Sequence, residues 1–112
     1  MFSVPRGWAS SDEDATIAAS GTTSDIVSNV GSKAVGIILP ATFTGTAMTY
    51  LVAQNRGDTF IALNNSSGAV SSTVAQNKAY KLPDDLIPFP YFKLVSGSTE
   101  GSARTIKVVR KS

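Results

Sequence analysis

The chain has 112 residues, of which 42% are hydrophobic and 16% are charged, and its formal net charge is +2. This length and composition predict one globular domain and exclude a disordered tail or a coiled coil. The chain has no cysteine and no histidine, which excludes disulfides, thiolate or imidazole catalysis and the usual zinc and haem sites. We therefore expect a non-enzymatic domain without a cofactor.

Residues 1–14 differ from the rest of the chain and predict an extended N-terminal arm. Phe2, Pro5, Arg6 and Trp8 lie outside any periodic pattern and precede the polar run 10–14. Because aromatic side chains often dominate the energy of protein interfaces, we predict that these four residues contact a partner. No apolar stretch is long enough for a secretion signal or a membrane span, so neither is expected.

Residues 15–112 are predicted to form a single all-β domain, because β-branched and aromatic residues alternate with polar ones between turn-forming residues. About eight or nine short strands without disulfides indicate an antiparallel β-sandwich with jelly-roll or related Greek-key topology. The apolar run 35–39 predicts a central strand. The predicted strands are 15–19, 25–30, 33–39, 47–53, 59–63, 69–75, 79–82, 91–95 and 104–110.

Alternation along these strands also predicts which side chains are buried. In the second strand it places Ile26, Ser28 and Val30 on one half-buried face. In the last strand, which is rich in basic residues, Lys107 is predicted to protect a free sheet edge from pairing with other chains. An acidic partner for this strand is the second interpretation. Nucleic acid is not predicted, because stacking aromatic residues are missing from the run.

Two connecting segments supply a second group of predicted contact residues. Arg56 lies in the turn sequence N-R-G-D-T at 55–59, where its Arg-Gly-Asp tripeptide is interpreted as turn chemistry. The proline-rich segment 83–90 predicts a packed loop with at most one helical turn, because prolines remove backbone donors. From this loop and the strand after it, we select Pro88, Phe89, Pro90 and Tyr91.

The remaining motifs suggest other chemistries. The aromatic cluster 89–92, with Tyr50 and Tyr80, could form a platform on which sugar rings stack. The acidic groups 12–14 and 84–85 lack the spacing of a calcium loop and are interpreted as solvated loops, so no metal site is predicted.

Three stretches resemble a family of small virion structural proteins of tailed bacteriophages. They read A-T-I-A-A-S-G at 15–21, G-I-I-L-P-A-T-F-T-G-T-A-M-T-Y at 36–50 and F-K-L-V-S-G at 92–97. The resemblance covers nearly all of the chain after about residue 10, and its motifs mark a fold rather than an active site. The sequence N-R-G-D-T-F at 55–60 departs at its first residue from the D-x-G-x-T-F pattern of many relatives.

The resemblance implies a capsid decoration, or cement, protein on the outer capsid surface of the virion, synthesised in the host cytoplasm. Its implied partners are the major capsid protein, whose subunits it would bridge and stabilise, and copies of itself in a trimer or other homo-oligomer. Two alternatives stay open: a structural component of the tail or baseplate, and a carbohydrate- or receptor-binding module. Neither nucleic acid nor a membrane is an expected partner.

Overall fold

A computed structural model describes residues 14–111 of the chain. The predicted strands are present, although several are shorter than expected, and the turn at 64–68 forms a small hairpin of its own. The strands are β1 (Ala15–Ile17), β2 (Val27–Ser28), β3 (Lys33–Ile38), β4 (Ala47–Ala53), β5 (Ile61–Ala62), β6 (Asn64–Asn65), β7 (Gly68–Ala69), β8 (Ser71–Thr73), β9 (Ala79–Lys81), β10 (Tyr91–Ser96) and β11 (Arg104–Lys111).

Nine of the eleven described strands form two antiparallel sheets that pack against each other, and β6 and β7 pair only with each other, which confirms the predicted all-β sandwich. One sheet has the order β1-β11-β3-β9 and the other the order β2-β10-β4-β5, with β8 also paired to β4. Successive strands β1 to β4 and β9 to β11 alternate between the sheets, and the first strand pairs with the last. This is the strand order of a jelly roll, which is one of the two predicted topologies.

A single hydrophobic core lies between the two sheets. The four-stranded sheet contributes Ile17, Ile37 and Ile106, and the other sheet contributes Tyr50 and Phe92, all of them almost fully buried. These side chains occupy every second position of their strands, because neighbouring residues point to opposite sides of a sheet. The core fixes the register of the long strands β3, β4, β10 and β11.

Two predictions about strand environment have opposite outcomes. The apolar run 35–39 does lie in a central strand, because β3 pairs with both β11 and β9. The last strand is not an edge strand: β11 lies between β1 and β3. The prediction that Lys107 protects a free edge was therefore wrong, and Lys107 instead projects from the outer face of the sheet.

The predicted face of the second strand was also wrong. Val27 is fully buried, whereas Val30 is 62% exposed and lies beyond the two-residue strand β2. The chain turns at Gly31, whose φ of +86° suits glycine, so the alternation of Ile26, Ser28 and Val30 does not continue along one strand. Two further turns have a positive φ, at Asn77 (+58°) and at Gly68 (+117°).

The proline-rich segment 83–90 is a packed loop that contains one turn of 3-10 helix, Asp84–Leu86, as expected. Leu86 is buried in the core, and Phe89 packs against it. The hydrogen bond from the Phe89 amide to the Leu86 carbonyl, at 3.1 Å, closes the segment on itself. The last residues of the loop, Phe89 and Pro90, therefore have a fixed position just before β10.

Candidate functional site

The structure brings together two of the segments predicted to contact a partner. The guanidinium carbon of Arg56, in the turn after β4, lies 5.1 Å from the centre of the Tyr91 ring at the start of β10. This distance is within the range of a cation–π interaction. The two residues meet because β10 pairs with β4 and places Tyr91 opposite Ala53, at the end of β4. The predicted arm residues Phe2, Pro5, Arg6 and Trp8 lie outside the described residues.

The same two segments line an open groove with a volume of about 510 Å³. Ile61 stands at this groove with 67% of its surface exposed, and Phe89 reaches it from the proline-rich loop. We refer to Arg56, Tyr91 and this groove as the docking surface. The groove is lined by the apolar residues Val52, Ala53, Ile61, Ala62, Leu63 and Phe89 and by the polar residues Gln54, Asp58, Thr59 and Asn64.

A buried amide holds the proline-rich side of the docking surface in place. The side-chain nitrogen of Asn29 donates to the carbonyls of Leu86, at 3.4 Å, and Phe89, at 3.0 Å. Its side-chain oxygen accepts a hydrogen bond from the Ala34 amide at 2.9 Å, and its backbone amide donates to the Pro90 carbonyl at 2.8 Å. Asn29 is a residue that sequence reasoning missed, because its partners are brought together only by the fold.

Local hydrogen bonds fix the turn on the other side. The Asp58 amide donates to the Asn55 carbonyl at 3.1 Å, and the Asn55 side chain donates to the Asp58 carboxylate at 3.1 Å. This confirms the interpretation of the Arg-Gly-Asp tripeptide as a turn. Near it, the ammonium of Lys93 lies 4.7 Å from the centre of the Phe60 ring. A second cation–aromatic pair therefore extends the same face.

The aromatic residues suggested as a sugar platform do not form one exposed surface. Phe92 and Tyr50 are in the core, and the Tyr50 hydroxyl bonds the Ser72 hydroxyl at 2.8 Å. Burial raises the pKa of the Tyr50 phenol, and the hydrogen bond with Ser72 lowers it in part. Tyr91 is half-buried and has Arg56 over its ring. Phe92 and Tyr50 therefore cannot stack on a bound sugar ring.

Sequence reasoning also missed a buried carboxylate that accepts hydrogen bonds from several parts of the chain. Glu100 has no exposed surface, and its carboxylate accepts hydrogen bonds from the amides of Thr44, at 3.0 Å, and Gly45, at 3.1 Å. The Ser96 hydroxyl and the Arg104 guanidinium also donate to it, at 3.0 and 2.9 Å. The only signal in the sequence is the Glu-to-Arg spacing of four residues.

This carboxylate joins two of the three stretches that carry the sequence resemblance. The stretch 36–50 supplies Thr44 and Gly45, and the stretch 92–97 supplies Ser96. Glu100 therefore links the loop before β4 to the connection that runs from β10 in one sheet to β11 in the other. Since every partner is a donor from the chain itself, its role here is structural.

The electrostatics of Glu100 lead to a prediction about pH. Burial raises its pKa, but the hydrogen bonds from Arg104, Thr44 and Ser96 lower it more, so the net pKa is below the ordinary 4.5. A carboxyl whose pKa is lower in the folded than in the unfolded chain stabilises the fold above the unfolded pKa. This stabilisation is lost as the pH falls through the folded pKa.

We therefore expect the free energy of unfolding to fall in acid below about pH 4.5 more steeply for the natural chain than for Glu100→Gln. Urea unfolding followed by circular dichroism at a series of pH values measures this difference. Asp84→Asn, which removes an exposed carboxylate, is the matched control and should keep the acid sensitivity of the natural chain. Equal slopes for all three chains would contradict the prediction.

Within residues 14–111, no three acidic side chains are close enough to hold a metal ion. Of the pair at 84–85, Asp84 is exposed and forms an ion pair with Lys81 at 3.5 Å, and Asp85 is half-buried and accepts a hydrogen bond from the Asn65 side chain at 3.4 Å. None of the described residues belongs to a helix of the length and hydropathy that crossing a membrane requires.

These observations define the class of the molecule: an antiparallel β-sandwich of jelly-roll order, with an arginine, a tyrosine and an apolar groove gathered on one surface. No family model, curated protein or solved structure matches the chain.

Proposed function

We propose that the chain is a non-enzymatic structural protein of a tailed-bacteriophage virion, a capsid decoration protein that bridges and stabilises the major capsid subunits. The observation that carries the proposal is the meeting of Arg56 and Tyr91 beside the groove. Two segments selected separately as contact residues thereby become one surface. The resemblance of the motifs at 36–50 and 92–97 to phage virion proteins supports the assignment to a virion.

The docking surface has the composition of a protein interface. Arginine and tyrosine are among the residues most often found at the energetic centre of interfaces, and an apolar centre with a polar rim is the usual arrangement. Here the apolar centre is the groove around Ile61 and Phe89, and Asp58 and Asn64 stand among its polar residues. A partner side chain that enters this groove would bury apolar surface.

The surface is also held in place before any partner arrives. Asn29 fixes the segment that carries Phe89, and the turn around Arg56 is closed by its own hydrogen bonds. Little conformational entropy then has to be lost on docking, which favours affinity. A protein that binds only the assembled shell stabilises that shell by mass action, so this function requires no chemistry.

The test uses capsids of the phage that encodes the chain, assembled without it. We expect the fluorescently labelled full-length chain to sediment with these capsids and to occupy symmetric positions in electron micrographs. Arg56→Ala should reduce its affinity about tenfold, since it removes a cation and the ring contact together. Arg56→Lys, which keeps the charge, should reduce the affinity for capsids by less than Arg56→Ala does. Because Arg56 is exposed and its contact with the Tyr91 ring is worth about 0.5–1 kcal/mol, neither change should lower the free energy of unfolding by more than about 1 kcal/mol.

Two outcomes would contradict the proposal. If the folded, labelled chain does not sediment with the capsids, the capsid is not its partner. A label confined to the tail or baseplate would assign the same docking surface to the alternative virion location.

A further inference from the structure

The outer face of the four-stranded sheet carries a cluster of lysines. Lys33 of β3, Lys81 of β9, and Lys107 and Lys111 of β11 all point away from the core and are exposed. None of the four strands of this sheet contains aspartate or glutamate. We refer to these four residues and the side chains between them as the lysine face.

The positive charge of this face is largely uncompensated within residues 14–111. Lys81 pairs with Asp84 at 3.5 Å, but Lys33, Lys107 and Lys111 form no ion pair with any described residue. The carboxylate of Asp25 is close to β1, but it accepts a hydrogen bond from a backbone amide at the free edge of that strand. It therefore does not cover the face.

Two of the lysines oppose each other directly. Lys111 of β11 is the cross-strand partner of Lys33 of β3. Like charges in this position destabilise a sheet. Because β11 is an interior strand, protection of a sheet edge does not account for its lysines. The isolated fold thus carries an unfavourable charge arrangement that an anionic partner would relieve.

The centre of the lysine face is apolar. Ile38 is 42% exposed and lies between Lys107 and Ala79, and the next row across the sheet contains Val109, Gly36 and Lys81. An apolar centre with charged residues around it is the arrangement of protein interfaces. None of these outward positions holds an aromatic residue, so the stacking that single-stranded nucleic acids require is missing.

From this arrangement we infer a second docking site: the lysine face binds an acidic surface of another protein, with an apolar side chain of that partner against Ile38. The site lies on the opposite sheet from the docking surface around Arg56. The chain would then contact two partners from two sides, as a bridging protein must. The inference rests on the charges of the sheet and does not depend on the partner being a capsid.

The probe is a fluorescein-labelled glutamate-rich peptide with a leucine at its centre, measured by fluorescence anisotropy with the full-length chain. Lys33→Glu should weaken its binding about tenfold. The same change turns a like-charge pair into an opposite-charge pair, so it should raise Tm by about 1–6 °C at low salt. If the substitution weakened peptide binding by disturbing the fold, it would lower Tm; a higher Tm together with a lower affinity therefore indicates a direct role of Lys33 in binding.

Lys93→Glu is the matched control, because it changes the net charge equally on the other sheet. It should leave peptide affinity within about twofold. Ile38→Ser should lower the affinity for the leucine-containing peptide and leave the affinity for an all-glutamate peptide unchanged. Equal losses of peptide affinity for Lys33→Glu and Lys93→Glu would show that binding depends only on the net charge of the chain and would overturn the inference. Tighter binding of a DNA duplex than of the peptide would also overturn it, in favour of nucleic acid.

Discussion

Glu100→Ala should destabilise the folded chain by about 3–5 kcal/mol, the cost expected when one member of a buried ion pair is removed. The change leaves the Arg104 guanidinium, which is 12% exposed, without its carboxylate. It also leaves the Thr44 and Gly45 amides and the Ser96 hydroxyl without their common acceptor. A buried donor that loses its acceptor costs about 1–3 kcal/mol, because on folding it has given up its hydrogen bond to water.

Urea unfolding at neutral pH measures this loss, with circular dichroism as the signal. Asp84→Ala is the control, since it removes an exposed carboxylate whose ion pair with Lys81 is solvated, and it should cost no more than about 1 kcal/mol. The double variant Glu100→Ala with Arg104→Met should recover part of the loss, because it removes the unpaired charge. A cost below about 1 kcal/mol for Glu100→Ala would show that the bonded carboxylate does not fasten the loop before β4.

Gly45→Ala should have the second largest effect on stability and should lower the free energy of unfolding by about 2–3 kcal/mol. A β-carbon at this position would overlap the Ser96 hydroxyl oxygen and would lie 3.1 Å from Cε2 of Phe43. The Ser96 side chain cannot move away without losing its hydrogen bonds to Glu100 and from the Ser98 amide. Phe43 is buried, so its ring has little space either.

The matched control is Gly57→Ala, in the exposed turn before β5. Nothing lies within 4 Å of a β-carbon there and the backbone φ is not positive, so stability should stay within about 0.5 kcal/mol. Chemical unfolding of both variants gives the comparison. The effects of Gly45→Ala and Glu100→Ala should be less than additive, because both disturb the same hydrogen bonds. Equal stability of the two glycine variants would contradict the crowding at Gly45.

The candidate site was predictable in its parts but not as a whole. Arg56 and Tyr91 could each be selected from the sequence, because arginines in turns and aromatics beside prolines are frequent contact residues. That the two side chains meet depends on the pairing of β10 with β4. Asn29 could not be selected at all, since an asparagine before a glycine turn has an ordinary local explanation.

Within the basic strand β11, too, the sequence predicts one part of the arrangement and the structure supplies the rest. Alternation alone separates Arg104 and Arg110, which point inward, from Lys107 and Lys111, which point to solvent. The structure adds what the inward residues bond: Arg104 reaches Glu100, and Arg110 donates to the carbonyls of Ser28 and Ser32. Whether the strand lies at an edge depends on which other strands flank it, and alternation carries no information about that.

The order of residues along this chain predicts its long strands, its all-β class and the side of each long strand that meets the core. These properties arise from neighbours in sequence, through pleat geometry and the backbone preferences of glycine, asparagine and proline. Only the tertiary structure decided that β11 is interior, that Glu100 is a buried acceptor and that four lysines share one face. Each of these depends on groups distant in sequence, whose proximity is set by the packing of two complete sheets rather than by any local preference.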